Sequence, residues 1–178
     1  MKLRKQLTQP EDPSYRLIPL TRGQFAMVDP EDYEELSKFN WHAVWSRGSN
    51  TFYAVRTVIF PDGKRRSILM HRQIMDSFLS QVAGLEIDHR NHDGLDNRRC
   101  NIRVATRSQN SWNRQPGSIG KSGYRGVSYS KSTNKKWRAV ISKNGRHYQL
   151  GLFDTPEEAS AAYQSAVMRI HGEFSPQE

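Results

Sequence analysis

Asp88 and His89 are adjacent, Asn101 follows His89 by twelve residues, and Asn110 follows Asn101 by nine. Carboxylate, imidazole and carboxamide groups are what phosphodiester hydrolysis calls for. That reaction needs a base to activate water and a cation to stabilise charge on the phosphate and the leaving oxygen. Ions of the Mg2+ type take oxygen ligands and keep several waters, so one or two protein ligands suffice. Asp88 offers a carboxylate oxygen, and a later Asn offers a carbonyl oxygen. On a strand, His89 points to the side opposite Asp88. The polar stretch that follows, "RNHDGLDNRRCN", is bracketed by two short apolar pieces at 85–87 and 102–105. Those pieces read as strands, and the polar middle as a loop tied by its own hydrogen bonds.

The elements around these residues follow from periodicity and turn chemistry. "YRLIPL" and "QFAMVD" are short apolar runs split by "TRG", a hairpin signal. In "DPEDYEELSKF", Asp29 caps a short helix, with Pro30 at its first position and acids in its first turn. "WHAVWS", "TFYAVRTVIF" and "RRSILM" read as strands separated by "RGSN" and "PDGK". "HRQIMDSFL" reads as a helix with Ile74, Phe78 and Leu79 on one side. His71, before that helix, reads as a structural contact, as does His42, and His92 reads as a loop residue.

The spacing of Asp88, His89, Asn101 and Asn110, with "LDNRRCNIR" at 95–103, resembles the HNH (His-Asn-His) endonuclease motif. The closest likeness is to the phage and intron homing enzymes whose third motif residue is Asn. The resemblance implies two short antiparallel strands, 86–89 and 102–105, and a helix over 106–114 around one metal ion. It makes His89 the general base and Asp88 and Asn110 the metal ligands. Asn101 is implied to hold the loop and help orient the His89 ring, and Asn97 to close the loop. The cofactor implied is one divalent cation, Mg2+ or Mn2+. "HRQIM" resembles the β-rich leader that precedes this motif in many phage nucleases.

Charge is unevenly spread along the 178 residues, whose net charge is +9. Residues 1–88 carry 12 Lys and Arg against 11 Asp and Glu, whereas residues 90–150 carry 14 against 2. Such a one-signed excess suits a polyanion. "SWNRQPGSIGKSG" is linker-like. Beyond it, "YRGVSYS", "KWRAVISK" and "HYQLGLF" alternate as strands, with "KSTNK" and "NGR" as turns. The chain then enters a helix with Thr155 at its cap, Pro156 at N1 and Glu158 completing a capping box. Ala159, Ala162, Tyr163, Ala166 and Ile170 form the apolar stripe of that helix. Alternation turns Ala139, Ile141, Tyr148 and Leu150 toward the helix and Arg138, Val140, Ser142, His147 and Gln149 outward. Arg125, Ser128, Lys143 and Arg146 flank the outward face, and Trp137 belongs to the core.

This block, through "YRGV", "KWRAVI", "LGLFDTPEEASAAY" and "HGEF", resembles the plant ethylene-response-factor (APETALA-type) DNA-binding domain. The resemblance implies a three-stranded sheet lying in the DNA major groove with a helix on its far side. Several positions that are Arg or Trp in the plant domains are Ser, Val or Gln in this chain. The DNA-binding set is therefore Arg125, Ser128, Arg138, Ser142, Lys143, Arg146, His147 and Gln149.

The fold class expected is α+β. The segments are a flexible arm at 1–14, a β-rich region at 15–80, a nuclease core at 81–115, a linker at 116–122 and a DNA-binding domain at 123–175. A single cysteine, Cys100, excludes an internal disulfide and a zinc site built on paired cysteines. No run reaches membrane-span length, and the start does not read as a signal peptide, so the expected setting is the cytoplasm. The function expected is metal-dependent cleavage of double-stranded DNA by a monomer or homodimer. The rival is a non-catalytic DNA-binding regulator that retains the HNH unit as a relic.

Overall fold

The computed structural model describes residues 7–76, 84–113, 120–131, 137–143 and 145–174. Phe78, Leu79 and most of the "KSTNK" turn lie outside these residues, as does Asn144 of "NGR". The chain is mixed α+β and divides into two compact units, residues 1–106 and 107–178. The division falls at the start of the helix that follows the second motif strand. Among the described residues no helix is long and apolar enough to cross a membrane.

The first unit begins with a hairpin of β1 (Arg16–Pro19) and β2 (Phe25–Val28), in which Leu17 faces Met27. Gln9 extends this pairing, donating from Nε2 to Leu17 O and accepting the Leu17 N–H at Oε1. Helix α1 (Pro30–Ser37) follows. Asp29 stands at its N-cap, but the carboxylate makes no capping bond. Instead Asp29 Oδ2 accepts the backbone N–H of Arg99 at 2.7 Å. The capping expected from sequence loses to a partner 70 residues away, one that a reading of local spacing does not reveal.

Strands β3 (His42–Ser46), β4 (Thr51–Ile59) and β5 (Arg65–Leu69) form an antiparallel sheet with β4 in the centre. The chain passes directly into α2 (Met70–Ile74). Next come β6 (Glu86–His89) and β7 (Ile102–Ala105), an antiparallel pair with Asp88 opposite Arg103 and His89 opposite Ile102. One core serves all of these elements. Ile18, Val28, Leu36, Trp41, Ala54 and Met70 cluster with Ile87 and Ile102 of the motif strands. Trp41 is fully buried, and its indole N–H is satisfied by Leu36 O at 2.8 Å.

The second unit opens with α3 (Arg107–Asn113). Strands β8 (Val127–Tyr129), β9 (Trp137–Lys143) and β10 (Arg146–Phe153) form an antiparallel sheet with β9 central. Helix α4 (Pro156–His171) packs on it and ends in a 3-10 turn at Gly172–Phe174. Thr155 Oγ1 accepts the Glu158 N–H, while Glu158 Oε2 reaches back to the Asp154 N–H. The reciprocal arm of the capping box thus lands one residue early. Ala159, Tyr163, Ala166 and Val167 meet Val127, Ala139 and Ile141 in the core. Trp137 packs against this cluster. Tyr148 shares the face of its partner Ile141 but stays 46% exposed, since β10 is an edge strand. A bulge between Gln149 and Gly151 shifts the register there.

Gly126, in "YRGV", sits at φ 70°, and a Cβ placed there would lie 2.1 Å from the Tyr163 ring. The helix can approach the sheet this closely only if that position has no side chain. Gly126→Ala is expected to destabilise the second unit by about 2–4 kcal/mol, from the left-handed backbone and the overlap together. Urea unfolding followed by tryptophan fluorescence checks this.

Candidate nuclease site and nucleic-acid interface

The motif strands bring Asp88, His89, Asn97 and Asn101 into one neighbourhood of the first unit, all of them buried. Asp88 and Arg103 are direct cross-strand partners. Arg103 Nε donates to Asp88 Oδ2 at 2.8 Å, and a terminal guanidinium nitrogen lies 2.7 Å from the same oxygen as an ion pair. Both side chains are 6% exposed, so the pair is a buried one and depends on its geometry.

Asn101 is the staple of the loop between the strands. Its Oδ1 accepts the Asn91 N–H at 3.0 Å, its Nδ2 donates to Asp96 O at 2.8 Å, and its backbone oxygen accepts the Arg90 N–H at 2.9 Å. Asp96 is bound by Asn91 Nδ2 and by two guanidinium nitrogens of Arg98. Burial opposes the Asp96 charge, but Arg98 and Asn91 hold its carboxyl below the ordinary range. The loop's own bonds are one part of its anchorage. The rest come from the β-rich region: Met27 N–H to Leu95 O, Asn97 N–H to Met27 O, and Gly94 N–H to Thr51 Oγ1. Arg99 bonds Asp32 and Glu31 of α1.

Asn97, Asp88, Asp93 and Asp96 favour the charged imidazole of His89. Burial outweighs them and lowers the His89 pKa. His71 also belongs to this neighbourhood. Its ring lies 4.9 Å from the His89 ring, at 85°. Burial, then the charges of His89 and Arg72, push its pKa down to about 3. In the sequence, His71 carries no spacing signal that would join it to a site eighteen residues on. His92 sits in the loop at φ 64°, with its N–H on His89 O. His42 lies on β3 opposite Val55.

Among the described residues no three His, Cys, Asp or Glu side chains converge as a ready-made metal cage. A hard divalent ion that retains most of its water does not need one. The donor type of Asp88, a carboxylate oxygen, fits such an ion. Asn110 lies on α3, half-buried, in the second unit.

In the second unit the outward sheet face is concave, with a volume of about 690 Å³, and it is lined by Arg125, Ser128, Arg138, Ser142, His147 and Gln149 among others. Lys143 and Arg146 are exposed at its end. Ser142 and His147 are cross-strand partners joined by a 2.8 Å hydrogen bond between Oγ and Nδ1. Arg125 is partly committed elsewhere, since its guanidinium donates to Trp112 O at 3.0 Å. Trp112 in turn stacks on His171 at 4.4 Å, and His171 Nε2 bonds Ser142 O.

Comparison with known proteins agrees with this division. Residues 71–112 match the family model described as HNH endonuclease, and residues 122–173 match that of the AP2 domain. The chain is thus similar to an HNH endonuclease over one segment and to an AP2 domain over the next. The HNH match begins at His71, at the start of α2. The chain is 27% identical over 163 residues to an uncharacterized HNH endonuclease of Acanthamoeba polyphaga mimivirus, covering 90% of this chain and 78% of that protein. It is 29% identical over 92 residues to "Protein 3.8" of Escherichia phage T7, covering 52% of this chain and 74% of that one. The HNH match points to a nuclease, and the AP2 domain fits DNA binding.

His71 generates a pH prediction. A histidine whose folded pKa is depressed from 6.5 to about 3 takes up its proton more readily in the unfolded chain. Stability is therefore full above pH 6.5 and falls as pH drops toward 3. At pH 5 the loss is about 2 kcal/mol relative to pH 7.5. Urea unfolding at the two pH values, compared between wild type and His71→Phe, is expected to show a smaller pH loss in the variant.

Proposed function

We propose that the protein is a divalent-metal-dependent DNA endonuclease of the homing type, hydrolysing phosphodiester bonds in duplex DNA. The observation that carries this reading is the buried His89 imidazole beside Asp88, inside the segment that matches the HNH endonuclease family. Burial lowers the pKa of His89, so at neutral pH the ring is uncharged and able to take a proton from water. His89 is the general base. Asn101 holds the loop and helps orient the His89 ring, and Asn97 closes the loop. A Mg2+ or Mn2+ ion taking Asp88 as a carboxylate ligand would stabilise charge on the phosphate and the leaving oxygen. One active site per chain cuts one strand at a time, so a double-strand break requires a dimer or a second encounter.

The outward face of the AP2 domain grips the duplex. Arg138 and the flanking Lys143 and Arg146 supply charge, while Ser128, Ser142, His147 and Gln149 supply hydrogen-bonding groups. The rival reading, a regulator with a relic nuclease unit, is disfavoured by the retention of Asp88, His89, Asn101 and Asn110 together.

Cleavage of supercoiled plasmid with Mg2+ or Mn2+, with and without EDTA, tests the nuclease reading. Metal-dependent nicking or linearisation is expected, falling about 100-fold or more in His89→Ala. An intact plasmid and an uncut genomic library, with salt-sensitive DNA binding retained, would move the reading to the regulator.

Arg138→Ala is expected to weaken DNA binding. If Arg138 holds a phosphate, the slope of log K against log salt becomes shallower by about 0.9. Fluorescence anisotropy across a salt series measures both effects. An unchanged affinity would remove Arg138 from the interface.

A further inference from the structure

Three aromatic rings from three different elements close on one another in the first unit. Tyr53 comes from β4, His71 from α2 and His89 from β6. The centroid distances are 5.7 Å for Tyr53–His71, 5.7 Å for Tyr53–His89 and 4.9 Å for His71–His89. The interplanar angles are 66°, 60° and 85°, so every pair is edge-to-face. This is the arrangement that aromatic quadrupoles favour, and each such contact disfavours rotation of either ring.

The triangle is also braced from outside. Gly94, in the loop, lies so close to Tyr53 that a Cβ there would stand 2.7 Å from the ring and 2.5 Å from Phe52 O. The Gly94 N–H is tied to Thr51 Oγ1 at 3.0 Å. Tyr53 thus meets the loop backbone as well as the two imidazoles. His71 is 5% exposed, and the contacts its ring makes in the structure are with aromatic partners. The His71 and His89 rings are nearly perpendicular, so they pack as an edge-to-face pair.

We propose that Tyr53 and His71 are positioning residues that hold the His89 imidazole in a single orientation, as two aromatic walls around the base. The proposal rests on the reading of His89 as general base. It gives the β-rich region a direct part in catalysis, because one wall belongs to its central strand and the other to the helix that follows its last strand. The deep burial that keeps His71 uncharged also spares His89 a second cation beside it when it takes a proton. A base swung off its water loses rate steeply, since misplacement on the order of 1 Å costs about 100-fold.

The test uses the full chain and two kinds of substitution at each wall. His71→Leu and Tyr53→Leu keep apolar volume but remove the ring, whereas His71→Phe and Tyr53→Phe keep a ring. Single-turnover plasmid cleavage is read beside DNA affinity, and histidine ring NMR signals are read on the metal-free protein. The Leu variants are expected to cleave about 10–100-fold more slowly with DNA affinity unchanged. Their His89 ring signals are expected to be broadened or averaged. The Phe variants are expected to recover most of the rate and to show one narrow set of His89 signals, as in wild type. Leu variants that cleave at the wild-type rate with sharp His89 signals would overturn the proposal. So would Phe variants as slow as the Leu ones, because the ring would then not be what matters. If wild type cleaves nothing, yet the Leu variants alone lose the narrow His89 signals, the nuclease reading fails while the clamp stands.

Discussion

A hairpin of two four-residue strands cannot bury enough surface to hold itself together in water. Every feature of the candidate site depends on how this chain meets that constraint. Ile87 and Ile102, the inward residues of the hairpin, join the cluster that contains Ile18, Val28, Trp41 and Met70. The β-rich region is therefore the scaffold of the site, and the motif strands are two further strands on a core that it supplies. The same dependence explains why a helix as short as α2 is ordered as drawn. Met70 and Ile74 enter that core, and His71 between them is carried to the His89 ring.

Seating the loop against this scaffold puts polar groups inside, where each unsatisfied one costs about 1–3 kcal/mol. Asn97 is fully buried, and Asp96 and Asn101 nearly so. Carboxamides suit the positions because each offers a donor and an acceptor at once. Asn101 uses both to close the loop across its base, with Asn91 N–H on one side and Asp96 O on the other. Asn97 enters by its backbone on Met27 and by its Nδ2 on Leu95 O. An apolar side chain at position 101 would fill space but take these partners from the Asn91 N–H and the Asp96 carbonyl.

The strands and helices were largely legible in the sequence, because alternation and turn residues are local signals. Both motif strands fall where the apolar pieces predict them, at 86–89 and 102–105. What local spacing could not convey was pairing at long range. Asp29 has the residue type and position of an N-cap, yet its carboxylate serves Arg99. His71 resembles any histidine before a helix until the fold sets it against His89. Tyr148 alternates correctly toward the helix, but an edge strand leaves it half in solvent. Each of these depends on a neighbour distant in sequence.

Charge counted along the chain also has to be separated from charge available to a ligand. In the first unit Arg98 is paired with Asp96, Arg99 with Asp32 and Glu31, and Arg103 with Asp88. Those guanidiniums act as internal ties, so three of the fourteen Lys and Arg of residues 90–150 are committed there. Residues 121–150 hold eight Lys and Arg and no acids, and Arg138, Lys143 and Arg146 among them are exposed. The two tasks ask for opposite surroundings. A base works when burial keeps its imidazole neutral, and a polyanion is gripped by cations that stay hydrated and unpaired until it arrives. A single small core could not provide both, because desolvating a lysine or arginine costs more than a phosphate contact returns. Division of the chain into a paired, buried polar cluster and an open basic sheet is the arrangement in which neither requirement compromises the other.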